Sequence, residues 1–198
     1  MLLLIIGLVI FFASHVLPMQ VALRRDLRER LGAKPYELGI IVASLIGLAL
    51  IVYGYGKVQG LPGKNPILWV PPVWTKHLLW MIMWLAMILL AASLIPSRIR
   101  DWVGHPMLLS TQLWATGHLL ANGSAAAILL FGSFLAWSVL DLISVRRRGA
   151  KGPLGARTAT AGGDAAAVAL GTTAYLFMLL WGHAWLIGVA AASFSFAP

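Results

Sequence analysis

The sequence contains no cysteine. That absence excludes disulfides, thiolate metal sites, c-type haem attachment and cysteine nucleophiles in one step. Charge is scarce too. Only 11% of the 198 residues are Asp, Glu, Lys or Arg, and only six are acids. Of these, Glu37 and Asp141 fall in or at apolar stretches and neither has a second acid nearby, so paired-carboxylate catalysis and an all-oxygen divalent cation site are not expected. No G-x-S-x-G occurs, and GPLGAR at 152–157 lacks the Lys-Ser/Thr of a phosphate loop. Neither a hydrolase elbow nor nucleotide binding is supported. No long polar segment is present, so a single membrane-embedded domain over 1–198 is expected.

What the chain does have is apolar length. Sixty per cent of its residues are hydrophobic, which places it among integral membrane proteins. Apolar runs predict spans at about 2–22, 37–56, 77–96, 105–122, 124–145 and 165–192. The expected fold is all-α: a polytopic transmembrane helix bundle of about six spans. The first run has no basic residue before it and no small-residue cleavage site after it, so it reads as a retained helix. Residues 57–76, with prolines 62, 66, 71 and 72 and Trp69 and Trp74, suit a loop along the headgroups. Residues 149–163 are Gly-rich and read as a flexible linker that packs little.

The net charge of +9 does not require nucleic acid. Arg24, Arg25, Arg28, Arg30, Lys34, Arg98, Arg100, Arg146, Arg147, Arg148, Lys151 and Arg157 would share one side of a six-span topology. Only Lys57, Lys64 and Lys76 would lie on the other, so both termini are expected outside the cytoplasm.

The chemistry-bearing residues are the five histidines: His15, His77, His105, His118 and His183. An imidazole inside hydrocarbon is costly without a partner, so each is a candidate site residue. Neutral imidazole is also the commonest metal ligand once thiolate is unavailable. His77 and His105, at helix ends, fit interfacial structural roles equally well. His15 and His118 lie deeper in apolar helices, and His183 sits in WGHAW. His105 and His118 stand about 20 Å apart along their helix and about 140° around it, so they cannot hold one metal together. Each needs a partner from another helix. Asn122 is one turn beyond His118, where it either bonds that ring or caps the Asn-Gly turn. Asp141 is expected to pair with the Arg146–Arg148 cluster, and Glu37 to cap its helix. Small residues at 115, 117, 121, 125–127, 132 and 136 are expected to be packing contacts.

The block HPMLLSTQLWATGHLLANGSAAAILLFGSFLAWSVLDLISVRRR, residues 105–148, resembles the NnrU family of bacterial membrane proteins. So do the first-helix His15, LWVPPVWTKH before the third span and HAWLIGVA near the end. The likeness covers nearly the whole chain. It implies a multi-pass protein of the bacterial inner membrane, in a family named from denitrification loci. The family is also similar to the plant and cyanobacterial 15-cis-ζ-carotene isomerase, a membrane haem b enzyme. That similarity implies haem b with axial ligands at His15 and His118, and a lipophilic polyene or a nitrogen-oxide-related role. Gly104 stands where the family has a basic residue before His-Pro, and Ser124 where an acid often follows Asn-Gly.

On span boundaries alone, His15 stands about 10 Å and His118 about 20 Å from the inner helix ends. Tilt of about 20° narrows that gap. Otherwise His118 pairs with His183 or His77. Two other readings stay open: a cofactor-free accessory protein that binds a membrane partner, and a membrane methyltransferase. The latter also carries His-Pro, but with an Arg before it and a Glu-Glu region that this chain lacks.

Overall fold

The computed structural model describes residues 1–61, 63–150, 152, 154–155 and 157–191. The chain is helical, and among the described residues the only extended pairings are isolated bridges, Ile67 with Ser124 and Ser97 with Thr160. Helix is what a bilayer dictates, because backbone N–H and C=O groups in hydrocarbon must be satisfied within their own segment. Among the described residues, five helical stretches are long and apolar enough to cross a membrane: Leu2–Met19, Ala33–Gln59, Thr75–Leu94, Ala125–Arg147 and Ala161–Ile187. The remaining predicted span is helix Pro106–Ala121, whose 16 residues reach about 24 Å. Pro106 fixes its start and Asn122-Gly123 its end, so it is shorter than an ordinary crossing.

The helices are α1 (Leu2–Val16), α2 (Val21–Leu31), α3 (Ala33–Gln59), α4 (Thr75–Leu94), α5 (Arg98–Val103), α6 (Pro106–Ala121), α7 (Ala125–Arg147), α8 (Ala161–Phe177) and α9 (His183–Ile187). The first predicted span, 2–22, is thus two elements. α1 stops at Val16, a 3-10 turn with Pro18 follows, and α2 begins at Val21. Proline lacks the N–H that would continue the ladder. The last predicted span runs to Ile187, not to residue 192, because Gly188 takes the left-handed conformation (φ 77°) and ends the helix. Residue 192 and the predicted linker positions 151, 153 and 156 lie outside the described residues.

The chain divides into two compact units, one of residues 1–70 with 122–148 and one of 71–121 with 149–198.

In the first unit α1 and α3 run antiparallel with almost no side chain between them. A Cβ on Gly7 would lie 2.7 Å from Ile51 N, and one on Gly47 2.7 Å from Phe11 N. Such small-residue seams let helices approach in lipid, where packing replaces the hydrophobic drive. α7 lies beside them through Phe134 and Trp137, against Phe11, Phe12 and His15, and through Phe131 against Tyr55. Its start is held by segment 65–69. Asn65 Oδ1 accepts from Ala126 N at 3.0 Å and the Pro66 carbonyl from Ala125 N at 2.9 Å, while Ser124 caps α7 from within its own chain segment, its Oγ accepting from Ala127 N at 3.3 Å. Gly123 presses on the Trp69 carbonyl with no room for a Cβ. The Asn-Gly return is therefore a docking point as well as a turn.

In the second unit α4 lies between α6 and α8, antiparallel to both. Ser110 Oγ of α6 donates to the Ala86 carbonyl at 2.7 Å. Gly117 faces Leu79, Ile82 and Met83. Gly171 of α8 abuts the Ile88 backbone, and Trp84 Nε1 donates to Thr172 Oγ1 at 3.0 Å. Ala91, Ala92 and Ala167 form a small core under Ile95 and Ile99.

The expected small-residue contacts hold at Ala115, Gly117, Ala126 and Ala127, all buried. They do not hold at Gly132, which faces open space, or at Ala136, which is exposed. Glu37 is not a cap: α3 begins at Ala33, and Glu37 pairs with Arg28 of α2 at 2.9 Å. Nor is the whole stretch 149–163 slack. The Arg157 carbonyl accepts from Arg100 Nη2 at 2.6 Å, Thr160 Oγ1 caps α8 through Gly163 N at 2.9 Å, and Gly163 sits on the Pro96 carbonyl. Gly and Thr there are small enough for backbone-to-backbone contact, which a reading for apolar faces does not detect.

Candidate functional site

Within each unit the cations segregate to one end. In the first, α2, Lys34 and Arg146–Arg148 share the end where α1 and α7 finish and α3 begins; Lys57 and Lys64 lie at the other. In the second, Arg98, Arg100 and Arg157 share the end where α4 finishes, and Lys76 stands at its start. Arg98 pairs with Asp164 at 2.6 Å, and Arg100 with Asp101 at 2.7 Å. Asp141 pairs loosely with Arg148 at 3.8 Å, as expected for an acid one turn inside a basic helix end.

The histidines divide between these ends. His15 is the penultimate residue of α1, at the arginine-rich end of the first unit. Its Nδ1 is 2.7 Å from the Phe11 carbonyl and 3.1 Å from Ser14 Oγ, which is in turn 2.9 Å from Ser44 Oγ. The ring stacks on Phe11 at 4.0 Å and meets Trp137 edge-on at 5.3 Å. Trp137 Nε1 is buried with no hydrogen-bond partner among the described residues.

His118 lies one turn from the end of α6 in the second unit, away from that unit's arginines. Its Nδ1 is 2.9 Å from the Trp114 carbonyl, and the Trp114 ring is 5.4 Å away. His183 opens α9 at the same end. Its Nδ1 is 2.6 Å from the Val189 carbonyl, which the left-handed Gly188 turns back toward the ring. The fold thus brings these two imidazoles to the same end of one unit. His77 stands in the first turn of α4, exposed, edge-on to Trp80 at 5.3 Å; Trp80 Nε1 reaches the Ala191 carbonyl at 3.3 Å. Three of the four histidines in this unit thus collect at one end. His105 does not join them: it precedes α6 at the arginine-bearing end, and its carbonyl accepts from Leu109 N. Asn122 follows α6 at the histidine-bearing end.

One device at this site has no counterpart in the sequence reading. Met178–Gly182 form a π-helical turn directly before His183. Its extra residue rotates everything after it relative to α8, and such turns recur at functional sites. Gly182 permits it, since a Cβ there would lie 2.7 Å from the Phe177 ring. A one-residue insertion leaves hydropathy unchanged; only the Gly before His hinted at it.

Chemically, His15, His118 and His183 share one feature. A carbonyl only accepts, so Nδ1 carries the proton in each case and the ring lone pair is on Nε2. Metal-bound histidines are held in this way, with the far nitrogen donated to a carbonyl. The donor set fits axial ligation of a haem iron by neutral imidazole. No group of three or more His, Cys, Asp or Glu positioned for a metal ion occurs among the described residues. A haem needs only two ligands, the porphyrin supplying the rest.

The family model for NnrU protein matches residues 3–191. The chain belongs to the NnrU family. The matched stretch takes in both compact units and all five histidines, so the histidine-bearing end of this NnrU-family chain is not an appendage. No curated protein and no solved structure matches it.

Proposed function

We propose that this NnrU-family membrane protein binds one haem b, which the imidazoles of His118 and His183 would hold. The observation that carries the reading is the shared end of one unit. His118 and His183 each donate Nδ1 to a backbone carbonyl there, at 2.9 and 2.6 Å. Bound there, haem b supplies one-electron chemistry, used for redox-dependent isomerisation of a lipophilic polyene, electron transfer or a nitrogen-oxide-related step. The chain's own part is narrower. The carbonyls of Trp114 and Val189 hold the two rings in the tautomer that presents Nε2. Trp114 and, nearby, Trp80 and Met83 supply apolar bulk that excludes water and tunes potential. The exposed apolar helices place the protein in a lipid bilayer, and the family points to the bacterial cytoplasmic membrane.

A second reading keeps His118 and takes His15 as its partner, as the resemblance implies. The Phe11 carbonyl at 2.7 Å and the Phe11 and Trp137 rings favour His15 as a ligand in its own right. The two residues belong to different units, and His15 is at the arginine-bearing end of its own.

The test is haem content and reduced spectrum at equal protein yield for His15→Ala, His118→Ala and His183→Ala. His118→Ala and His183→Ala should lose haem or turn high-spin, with His15→Ala near wild type. Loss in His15→Ala with a normal His183→Ala selects the second reading. Protein that purifies colourless from haem-replete cells selects a cofactor-free accessory role. Saturable binding of S-adenosylmethionine by that colourless protein selects the methyltransferase.

A further inference from the structure

α2 is out of place as an ordinary loop. It has 11 residues, about 16 Å, too short to span, and it joins two helices long enough to do so. Its apolar residues find little cover: Val21, Leu23 and Leu31 are 61%, 47% and 57% exposed. Four arginines interleave with them. Arg24 closes the first turn, at the positive end of the helix dipole, where a cation is disfavoured, and no acid stands in that turn. No side chain caps the helix start.

Spacing brings Val21, Arg24, Arg25 and Arg28 onto one face, where with Glu29 they line an open concavity of about 410 Å³. The ion pairs there are uneven. Arg28 is held by Glu37 at 2.9 Å, and Arg25 meets Glu29 only at 4.0 Å, with both side chains more than 70% exposed. Arg30 turns to Asp26 at 2.8 Å. Arg24 has no acidic partner among the described residues.

We infer that this face of α2 is a binding site for the phosphodiester of an anionic phospholipid from the surrounding leaflet. The guanidiniums of Arg24, Arg25 and Arg28 take the phosphate oxygens, a geometry to which Arg is suited. An anion there also resolves the conflict between Arg24 and the helix dipole. Val21 lies on the same face, and α2 is flanked in sequence by two membrane-length helices, so an acyl chain lies within reach of the site, as beside an interfacial helix. That apolar setting argues for a lipid over free phosphate. Glu29 on the rim sets the limit on charge and disfavours polyanionic headgroups relative to a single phosphodiester.

The experiment uses the purified full chain, incubated in mixed micelles with phosphatidylglycerol or phosphatidylcholine, then washed and assayed for retained lipid by mass spectrometry. Wild type should retain phosphatidylglycerol over phosphatidylcholine. Arg24→Gln should lower that retention about fivefold, equivalent to about 1 kcal/mol for one basic residue at an anionic surface. The Arg24→Gln/Arg25→Gln/Arg28→Gln variant should abolish the preference, whereas Arg146→Gln/Arg147→Gln/Arg148→Gln, with the same charge removed at the same end, should keep it. Equal loss in both triple variants would reduce the effect to bulk surface charge and overturn the site, as would a wild type with no preference. Protection of the arginines from phenylglyoxal by inorganic phosphate alone, equal to that by phosphatidylglycerol, would also overturn the lipid assignment. If the α2 triple variant elutes as aggregate, Arg24→Gln decides, because it breaks no ion pair.

Discussion

Gly54 of α3 and Leu4 of α1 meet backbone to backbone: a Cβ on Gly54 would stand 2.5 Å from the Leu4 nitrogen. Leu4 is fully buried as a result. Gly54→Ala should force the helices apart and cost about 1–3 kcal/mol, the usual penalty of overpacking. Gly56→Ala, two residues on in open space, should be neutral or slightly stabilising. Thermal unfolding of the two variants in one detergent checks this, and equal midpoints would refute the close crossing.

Thr160 should matter more than its Gly-rich surroundings suggest. Its hydroxyl accepts from Gly163 N and starts α8. Thr160→Ala should cost about 1 kcal/mol, the typical value of a lost N-cap. Gly152→Ala, with nothing within 4 Å of its Cβ, should cost nothing measurable. Proteolysis rates of the two variants in detergent would show the difference.

Ser110→Ala tests a smaller term. The hydroxyl bonds the Ala86 carbonyl across α4 and α6, and such bonds in membranes are worth about 0.6 kcal/mol. A modest drop in stability with unchanged haem content is expected. A collapse of haem binding would mean that Ser110 acts at the site and not in packing.

The segregation of cations within each unit predicts the topology. Reporter fusions at residues 30 and 150 should read as cytoplasmic, and one after residue 198 as outside. A cytoplasmic C-terminus would mean that one helix does not cross, and α6, at about 24 Å, is the one to suspect.

Much of this architecture is legible in the chain because apolar length is a local property. The helices Thr75–Leu94 and Ala125–Arg147 begin and end within two residues of where hydropathy and punctuation put them. Pro106 and Asn122-Gly123 mark α6 for the same reason. What hydropathy missed depends on partners distant in sequence or on surface position. RRDLRER reads as a charged loop, yet it is helical, with Arg30 bonding Asp26 and Arg28 reaching Glu37 beyond the turn. Gly47 and Gly54 look unremarkable until α1 lies against them. Of the candidate site, the histidines were visible by type. Span order alone also puts His77, His118 and His183 toward one end and His105 at the other, as the helices have them; the π-turn before His183 is what no periodicity reports.

Haem binding is tested most directly by the dithionite-reduced minus oxidised absorption spectrum of the full chain, purified from haem-replete cells. Two neutral imidazoles on one iron predict a Soret band with sharp reduced α and β bands, at about one haem per chain. The same spectrum from His118→Ala at equal yield should be lost or high-spin. A wild-type protein that is folded and colourless would contradict haem binding, and a His118→Ala protein with an unchanged low-spin spectrum would contradict ligation by His118.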